Sequence, residues 1–518
     1  MKDLIIGIDA GTSVIKSVAF TLDGEQLAEC STPNTYSAPG NGEVEQDLQL
    51  TWKKTVETLV GLTHKVPEIT TRCAAISVTG QGDGTWLIDK DGKPVGGGLL
   101  WLDARAGDMV DKRRASEHER RRFEITGTGF AACQQTSQLI WMKAHAPERI
   151  AQSHTAFHCK DWLYYQLTGQ RVTDVSEGCF TFGDFRTRQY SPELLELLDL
   201  EDCAFLLPPM LNGMEENHPL CEKAAAASSF LAGTPVVLGS LDVICAGFGA
   251  GLYDKHSSVG CTIVGSTGIH MRLVHSADDI SLNEHCTGFT MALPMADTYA
   301  QVQSNMSCTL NIDWLLDVAV DLFQSQGISK SRSDLLYSVD EWVGQSTHRG
   351  ELLYQPYISD AGERGPFIDV SARAGFVGLN SRHRFGDMMN SVVEGLALAA
   401  RDCYTAMGGP PAEIRLTGGA ARSQSLRRVF ANTLGTSLRT CAREEAGAAG
   451  AAMMAAVGIG HYASMEDCVQ SWVAPHLSDL EDFDATEKQH MDAVFDNYVS
   501  TRMALSDTWK TQAGLKHS

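Results

Sequence analysis

The chain is predicted to be an α/β protein built as two similar halves that close on a cleft. Three observations predict this. At 518 residues it exceeds what one hydrophobic core organises, so two or more domains are expected. An apolar run, Leu4–Ile8, enters a polar turn, Asp9-Ala10-Gly11-Thr12-Ser13, and a β-rich run, Val14–Phe20, leaves it. About half a chain later the design returns: Ser258–Val264, the loop Gly265-Ser266-Thr267-Gly268, then Ile269–Val274. Loops that expose several N–H groups between strands are natural phosphate cradles, and two of them suggest one polyphosphate gripped from both sides.

Bulk properties narrow the class. Hydrophobic residues make up 43% and aromatic residues 8%, which fits a globular enzyme better than a disordered chain. A formal net charge of −22 argues against nucleic acid or an anionic membrane as the main partner. The 14 cysteines contain no Cys-x-x-Cys pair, so they read as reduced thiols of a cytoplasmic protein, neither a disulfide frame nor a zinc site. No signal sequence and no apolar run of membrane-spanning length is visible.

In chain order, Leu22-Asp23-Gly24 turns the first hairpin into a third strand near Gln26–Cys30. Trp52, Val56, Leu59 and Val60 keep helical spacing behind a capping Asp47. Cys73–Thr79 is a buried strand that delivers Gln81-Gly82-Asp83-Gly84 to its C-terminal end, where open α/β sheets bind ligands. Leu100–Arg105 is a second polar strand exit. Lys112–Arg122 reads as a solvated helical face, and residues 153–169 as one helix stopped by Gly169. Thr234–Gly239 is a strand, Ser240-Leu241-Asp242 a turn, and Val243–Phe248 the start of a helix, so Asp242 faces a cleft. Later come a helix over Phe385–Ala400, a strand and glycine loop over Ile414–Ala421, and a small-residue helix over Glu445–Val457. The order βββ-α-β resembles the ribonuclease-H-like layout of the actin/hexokinase type. Boundaries are set at 1–250, 251–475 and a helical tail, 476–518.

With these pieces placed, the sequence resembles the FGGY carbohydrate kinases over nearly its whole length. The most specific match is Ala374-Gly375-Phe376-Val377-Gly378-Leu379 followed by Asp387–Glu394; Gly362-Glu363-Arg364 and Leu416–Ala420 are also family-like. The resemblance implies phosphoryl transfer from ATP, with Mg²⁺, to a terminal hydroxyl of a small polyol or sugar. The stretches Val78–Leu87, Trp101–Ala106 and His158–Leu163 are similar to those of erythritol-phosphorylating members. The expected product is therefore erythritol 4-phosphate, with a pentulose such as xylulose, or glycerol, as the alternative. A homodimer is a further possibility. The rival from another class is a non-catalytic, actin-like nucleotide-dependent module.

The resemblance places the catalytic base at Asp242, a position that as a bare Asp also suits a helix N-cap. Asp9 is the expected Mg²⁺ anchor, or else a turn Asp bonding its own backbone. Gly11, Thr12 and Ser13, with Gly265, Ser266 and Thr267, are expected on the phosphates; Lys16 either joins them or points to solvent. Gly418, Gly419, Ala420 and Arg422 resemble an adenosine pocket, with Gly447 divided between that pocket and close helix packing. Gln81, Asp83, Trp101, Asp103 and Asp242 form a polar ring with one aromatic wall, the mixture polyols require. For Asp103 the alternative is a strand-end cap. Cys133, Gln134 and Gln135 either line this pocket or simply begin a helix. His158, His270 and His285 show no ligand spacing and read as structural.

Overall fold

The computed structural model describes residues 2–515. Its first half is organised by strands β1 (Leu4–Ala10), β2 (Val14–Thr21) and β3 (Gln26–Pro33), helix α1 (Leu48–Lys65) and β4 (Cys73–Gly80). Asp47 caps α1, its side chain accepting the Leu50 N–H at 3.0 Å, as the spacing predicts. Helices α2 (Cys159–Thr168) and α3 (Val175–Phe182) precede β5 (Pro235–Leu238) and α4 (Asp242–Gly249). The second half contains β6 (Val259–Val264), β7 (Gly268–Val274), β8 (Tyr299–Asn305), α5 (Phe385–Ala406), β9 (Glu413–Thr417), β10 (Ser437–Thr440) and α6 (Ala446–Gly458); α7 (Ala485–Leu515) closes the described chain.

The duplication read from the two loops is present in the sheets. One is ordered β3-β2-β1-β4-β5 with a short edge strand, His218–Pro219, beyond β5. The other is ordered β8-β7-β6-β9-β10 with Phe289–Ala292 beyond β8. In both, a central antiparallel hairpin (β1/β2, β6/β7) is flanked by a parallel pair on one side and an antiparallel strand on the other. Each of the two loops is thus the tip of a central hairpin.

Two predicted elements differ. The charged run forms two helices, Gly107–Arg114 and His118–Thr126, and its end is not solvated. Arg122 is buried against Phe130 and paired with Glu119 at 2.8 Å, so an internal ion pair carries charge that looked external. Residues 155–157 are a strand that pairs with Trp86–Ile88, and the helix begins only at Cys159.

The halves meet through α4 and α6, and glycine sets how closely. A Cβ on Gly450 would lie 1.8 Å from the Cys245 carbonyl oxygen; one on Gly249 would lie 2.1 Å from that of Ala446. On its other side α6 touches the first sheet, where a Cβ on Gly7 would come within 2.2 Å of the Ala448 carbonyl. One apolar cluster therefore runs from Ile5 and Ala75 through Ile244 and Ala448–Ala456 to Cys261 and Met271.

Candidate active site

The end of β1, beside the tip of the first central hairpin, lies against the start of α6, and α6 in turn packs on α4, the helix that begins at Asp242. The first loop is fastened from outside: Asn34 donates to the Gly11 carbonyl (3.1 Å) and its own N–H to that of Ser13 (2.8 Å). Thr12 is turned toward the neighbouring pocket, its hydroxyl donating to Gln81 Oε1 (2.9 Å) and accepting from Trp101 Nε1 (2.8 Å). The second loop is closed by Gly265 N–H on Thr267 O (3.2 Å) and fastened by Thr309, whose N–H and hydroxyl both reach the Gly265 carbonyl at 2.9 Å. Ser13 and Ser266 are the exposed tips.

Asp9, the penultimate residue of β1, is where the electrostatics concentrate. Burial raises its carboxyl to about 6, Glu445 adds to the shift and Lys16 opposes it. Lys16 is only partly exposed and does not stand free in solvent: its ammonium lies 2.7 and 2.9 Å from the two Glu445 oxygens. Gly447 sits directly over Asp9, where a Cβ would be 2.4 Å from Asp9 Oδ2. Of the two readings open for Gly447, its own helix turn is thus pressed on the Asp9 carboxylate. A partly exposed carboxylate whose ionised form is disfavoured by burial and by a second carboxylate offers oxygen to a hard divalent cation with water completing its shell, Lys16 being occupied by Glu445.

Asp242 is the first helical residue of α4; Leu241 holds the cap position, so the N-cap alternative does not describe it. Its Oδ1 accepts the Val243 N–H at 2.7 Å. Burial raises its carboxyl to about 8, and the charges of Asp9, Glu177 and Asp83 push in the same direction. Asp242 thus feels the Asp9 carboxylate and, through its neighbour Leu241, adjoins the Gln81–Gly84 loop. Gly82 makes this contact: a Cβ there would lie 2.7 Å from Leu241 Cδ1 and 3.4 Å from Glu177 Oε1.

In that loop Gln81 Nε2 donates to Gln46 Oε1 at 2.8 Å, which fixes its amide with the carbonyl toward Thr12. Asp83 is left-handed (φ 57°), and its N–H is held by Glu177 Oε1 at 2.9 Å. Cys133 joins the pocket, its thiol donating to Asp83 Oδ2 at 3.5 Å, and burial raises the Asp83 carboxyl. Gln134 and Gln135 take the helix-start reading, with side-chain amides on the Gly129 and Phe157 carbonyls. Trp101 is 36% exposed, with its indole N–H on the Thr12 hydroxyl. Asp103 faces away: it is buried, with Oδ2 accepting the Val44 N–H (2.7 Å) and both oxygens on Arg105 Nε (2.9 and 3.0 Å), so its geometry is that of a strand-end brace.

Sequence reasoning missed what lies beneath. Lys160 is fully buried among Asp161 (2.8 Å), Asp174 (2.8 Å) and Glu177 (2.5 Å), and His158 Nδ1 sits 3.2 Å from Asp161. Burial of Glu177 outweighs its cations and raises its carboxyl to about 7. His158 is held above its ordinary range by Glu177 and Asp161 against burial. This ion cluster supports the Asp83 N–H. The signal available was charge inside an apolar phrase, His158-Cys159-Lys160-Asp161-Trp162.

On the far side of the second loop, a cavity of about 570 Å³ is lined by Thr417, Gly418, Gly419, Ala421, Arg422 and Thr440. Gly418 (φ 97°) has no room for a side chain, since a Cβ would be 2.5 Å from the Val264 carbonyl beside the loop. Ala420 packs inward instead, on the cluster around Leu416 and Leu426.

The N-terminal-domain profile of the FGGY family of carbohydrate kinases matches residues 4–249, and its C-terminal-domain profile residues 260–459. The chain is 50% identical over 514 residues to an erythritol kinase of Brucella abortus (strain 2308), covering 99% of this chain and 98% of that protein. It is 25% identical to a xylulose kinase of Staphylococcus xylosus, over 91% and 94% of the two chains. Among solved structures, a gluconate kinase from Lactobacillus acidophilus superposes with a TM-score of 0.87 at 21% identity, covering 98% of this chain and 99% of that one.

Proposed function

The chain belongs to the FGGY family of carbohydrate kinases, and from that premise we propose that it transfers the γ-phosphoryl group of ATP to a terminal hydroxyl of erythritol, giving erythritol 4-phosphate and ADP. What supports this reading is Asp242 at the start of α4, whose neighbour Leu241 adjoins the Gln81–Gly84 loop and whose carboxyl feels the charges of Asp9 and Asp83. The Trp101 face packs on the polyol C–H surface while Gln81 and Asp83 bond its hydroxyls.

Asp242 accepts the proton of the terminal hydroxyl as that oxygen bonds to the γ-phosphorus, and the bond from phosphorus to the β-phosphate oxygen breaks with ADP leaving. The N–H groups of the loops at Gly11–Ser13 and Gly265–Thr267 hold the phosphates in line, and Lys16 turns from Glu445 to the triphosphate. Asp9, beneath the bare Cα of Gly447, is the residue that would hold Mg²⁺ through water, and the ion would supply positive charge to offset that of the phosphates. Gly418, Gly419 and Arg422 line the adenosine cavity, with Ala420 packed behind it. Dependence on ATP, and 14 thiols without a disulfide, suit the cytoplasm.

The test is ADP release with erythritol, glycerol, xylulose, ribulose and gluconate. Preference for erythritol is expected. Preference for a pentulose moves the substrate but keeps the chemistry; ATP hydrolysis indifferent to every polyol defeats both and favours an actin-like module.

A further inference from the structure

The Gly362-Glu363-Arg364 motif belongs to no part of the mechanism above, yet the structure spends many interactions on it. The Glu363 carboxylate is buried and accepts the N–H groups of Met306 (2.9 Å), Arg364 (2.8 Å) and Gly365 (3.4 Å). Asn305 Nδ2 holds the Gly365 carbonyl at 2.8 Å, and a Cβ on Gly365 would lie 2.6 Å from the Ser304 carbonyl. Gly362, Glu363, Gly365 and Pro366 are all buried; Arg364 alone in this turn is exposed. Its Nε donates to Ser304 Oγ at 3.2 Å, which fixes the root of the guanidinium and leaves the terminal nitrogens uncommitted.

The turn that carries Arg364 sits at a junction between the two halves. Pro366 O accepts the Thr287 hydroxyl (2.9 Å), Gly288 O accepts the Gly129 N–H (2.7 Å), and Thr290 bonds both Thr128 and the Gly127 carbonyl. Four residues after Gly129 comes Cys133, whose thiol is on Asp83. The Arg364 charge acts on both the Asp83 carboxyl and the Cys133 thiol, opposing the rise that burial imposes on each. Asp83 retains one oxygen, Oδ1, without a hydrogen-bond partner.

We propose that Arg364 is a specificity-determining residue of the polyol site, supplied by the second domain, which donates from its terminal nitrogens to a hydroxyl remote from the one phosphorylated. An alcohol that donates to Asp83 and accepts from a guanidinium satisfies both groups at once, which a C–H in its place cannot do. The inference rests on the polyol-kinase reading.

The experiment compares erythritol with butane-1,2,3-triol and butane-1,2,4-triol, each lacking one hydroxyl, in the full-length wild type, Arg364→Met and Arg364→Lys. The readouts are kcat/KM for each acceptor and KM for ATP. A site that pairs an alcohol rejects the analogue lacking it steeply, so wild type is expected to favour erythritol over at least one triol by about 10²-fold or more. In R364M that ratio should fall below about tenfold with KM for ATP unchanged, and R364K should recover part of it. Ratios between acceptors in one preparation do not depend on the fraction of folded enzyme. Equal loss on all three acceptors, an unchanged ratio, or a wild type that does not discriminate overturns the assignment. A wild type that releases no ADP with any polyol overturns the kinase reading instead.

Discussion

Replacing Asp242 by Asn should cripple the enzyme and stabilise it at the same time. The side chain keeps its size, and the amide oxygen can still accept the Val243 N–H that Oδ1 takes at 2.7 Å. What disappears is the proton acceptor, a loss of about 10²–10⁴ in kcat. The stability change has the opposite sign. The carboxyl is raised to about 8 from an ordinary value of 3.8, so the folded chain binds a proton more tightly than the unfolded chain. Stability contributed by that proton is complete below pH 4 and is lost as pH rises toward 8. At pH 8 the full shift corresponds to roughly 5 kcal/mol, which cleft water around a partly exposed side chain reduces to about 1–3 kcal/mol. The Asn variant escapes this cost, and at about 2–4 °C per kcal/mol for a domain of this size its Tm should rise by about 3–10 °C at pH 8 and by roughly a third of that at pH 5. Coupled ADP release and thermal melts at the two pH values measure both effects. Activity within tenfold of wild type would refute the base assignment; a lower Tm at pH 8 would refute the electrostatic argument.

The same titration should appear in catalysis: with the free enzyme, kcat/KM for the polyol should climb with pH until about 8, since only ionised Asp242 accepts a proton. A flat profile from pH 6 to 9 contradicts this. Gly447→Ala would drive a methyl into Asp9 Oδ2, 2.4 Å away, and displace the cation anchor; a loss of about 10² in kcat with a raised requirement for Mg²⁺ is expected, with little change in Tm. Titration of activity with Mg²⁺ separates this from misfolding. Gly450→Ala sets a Cβ 1.8 Å from the Cys245 backbone oxygen, where no side chain can yield, so α4 and α6 must part at a cost of about 1–3 kcal/mol or more, read as a Tm drop. Unchanged melting would show that the helices are not in contact in solution.

Hairpin and loop were legible because they are local: Leu4–Phe20 carries its own turn chemistry, and its repeat at Ser258–Val274 exposes the two-fold plan of the sheets. Asp242, Gly447 and Gly418 were marked by family motifs, and the structure adds what presses on each. Partners distant in the chain were not legible. Nothing near Lys16 announces Glu445, and nothing near Asp103 announces the Val44 N–H that turns it inward. The buried quartet of Lys160, Asp161, Asp174 and Glu177 was obscured for a related reason, since a charge normally marks the surface unless its counter-charges are supplied elsewhere in the chain.

The small-residue helix α6 is encoded by the second half of the gene but lies against β1 and β4 of the first. A polypeptide stopped at residue 250 would leave Ile5, Ala75 and Ile244 bare to water, while one begun there would carry a sticky alanine ridge with nothing to rest on. Neither piece is expected to live alone. During synthesis every strand of the early sheet is made by residue 238, but the face that α6 covers waits for a helix that ends at Gly458.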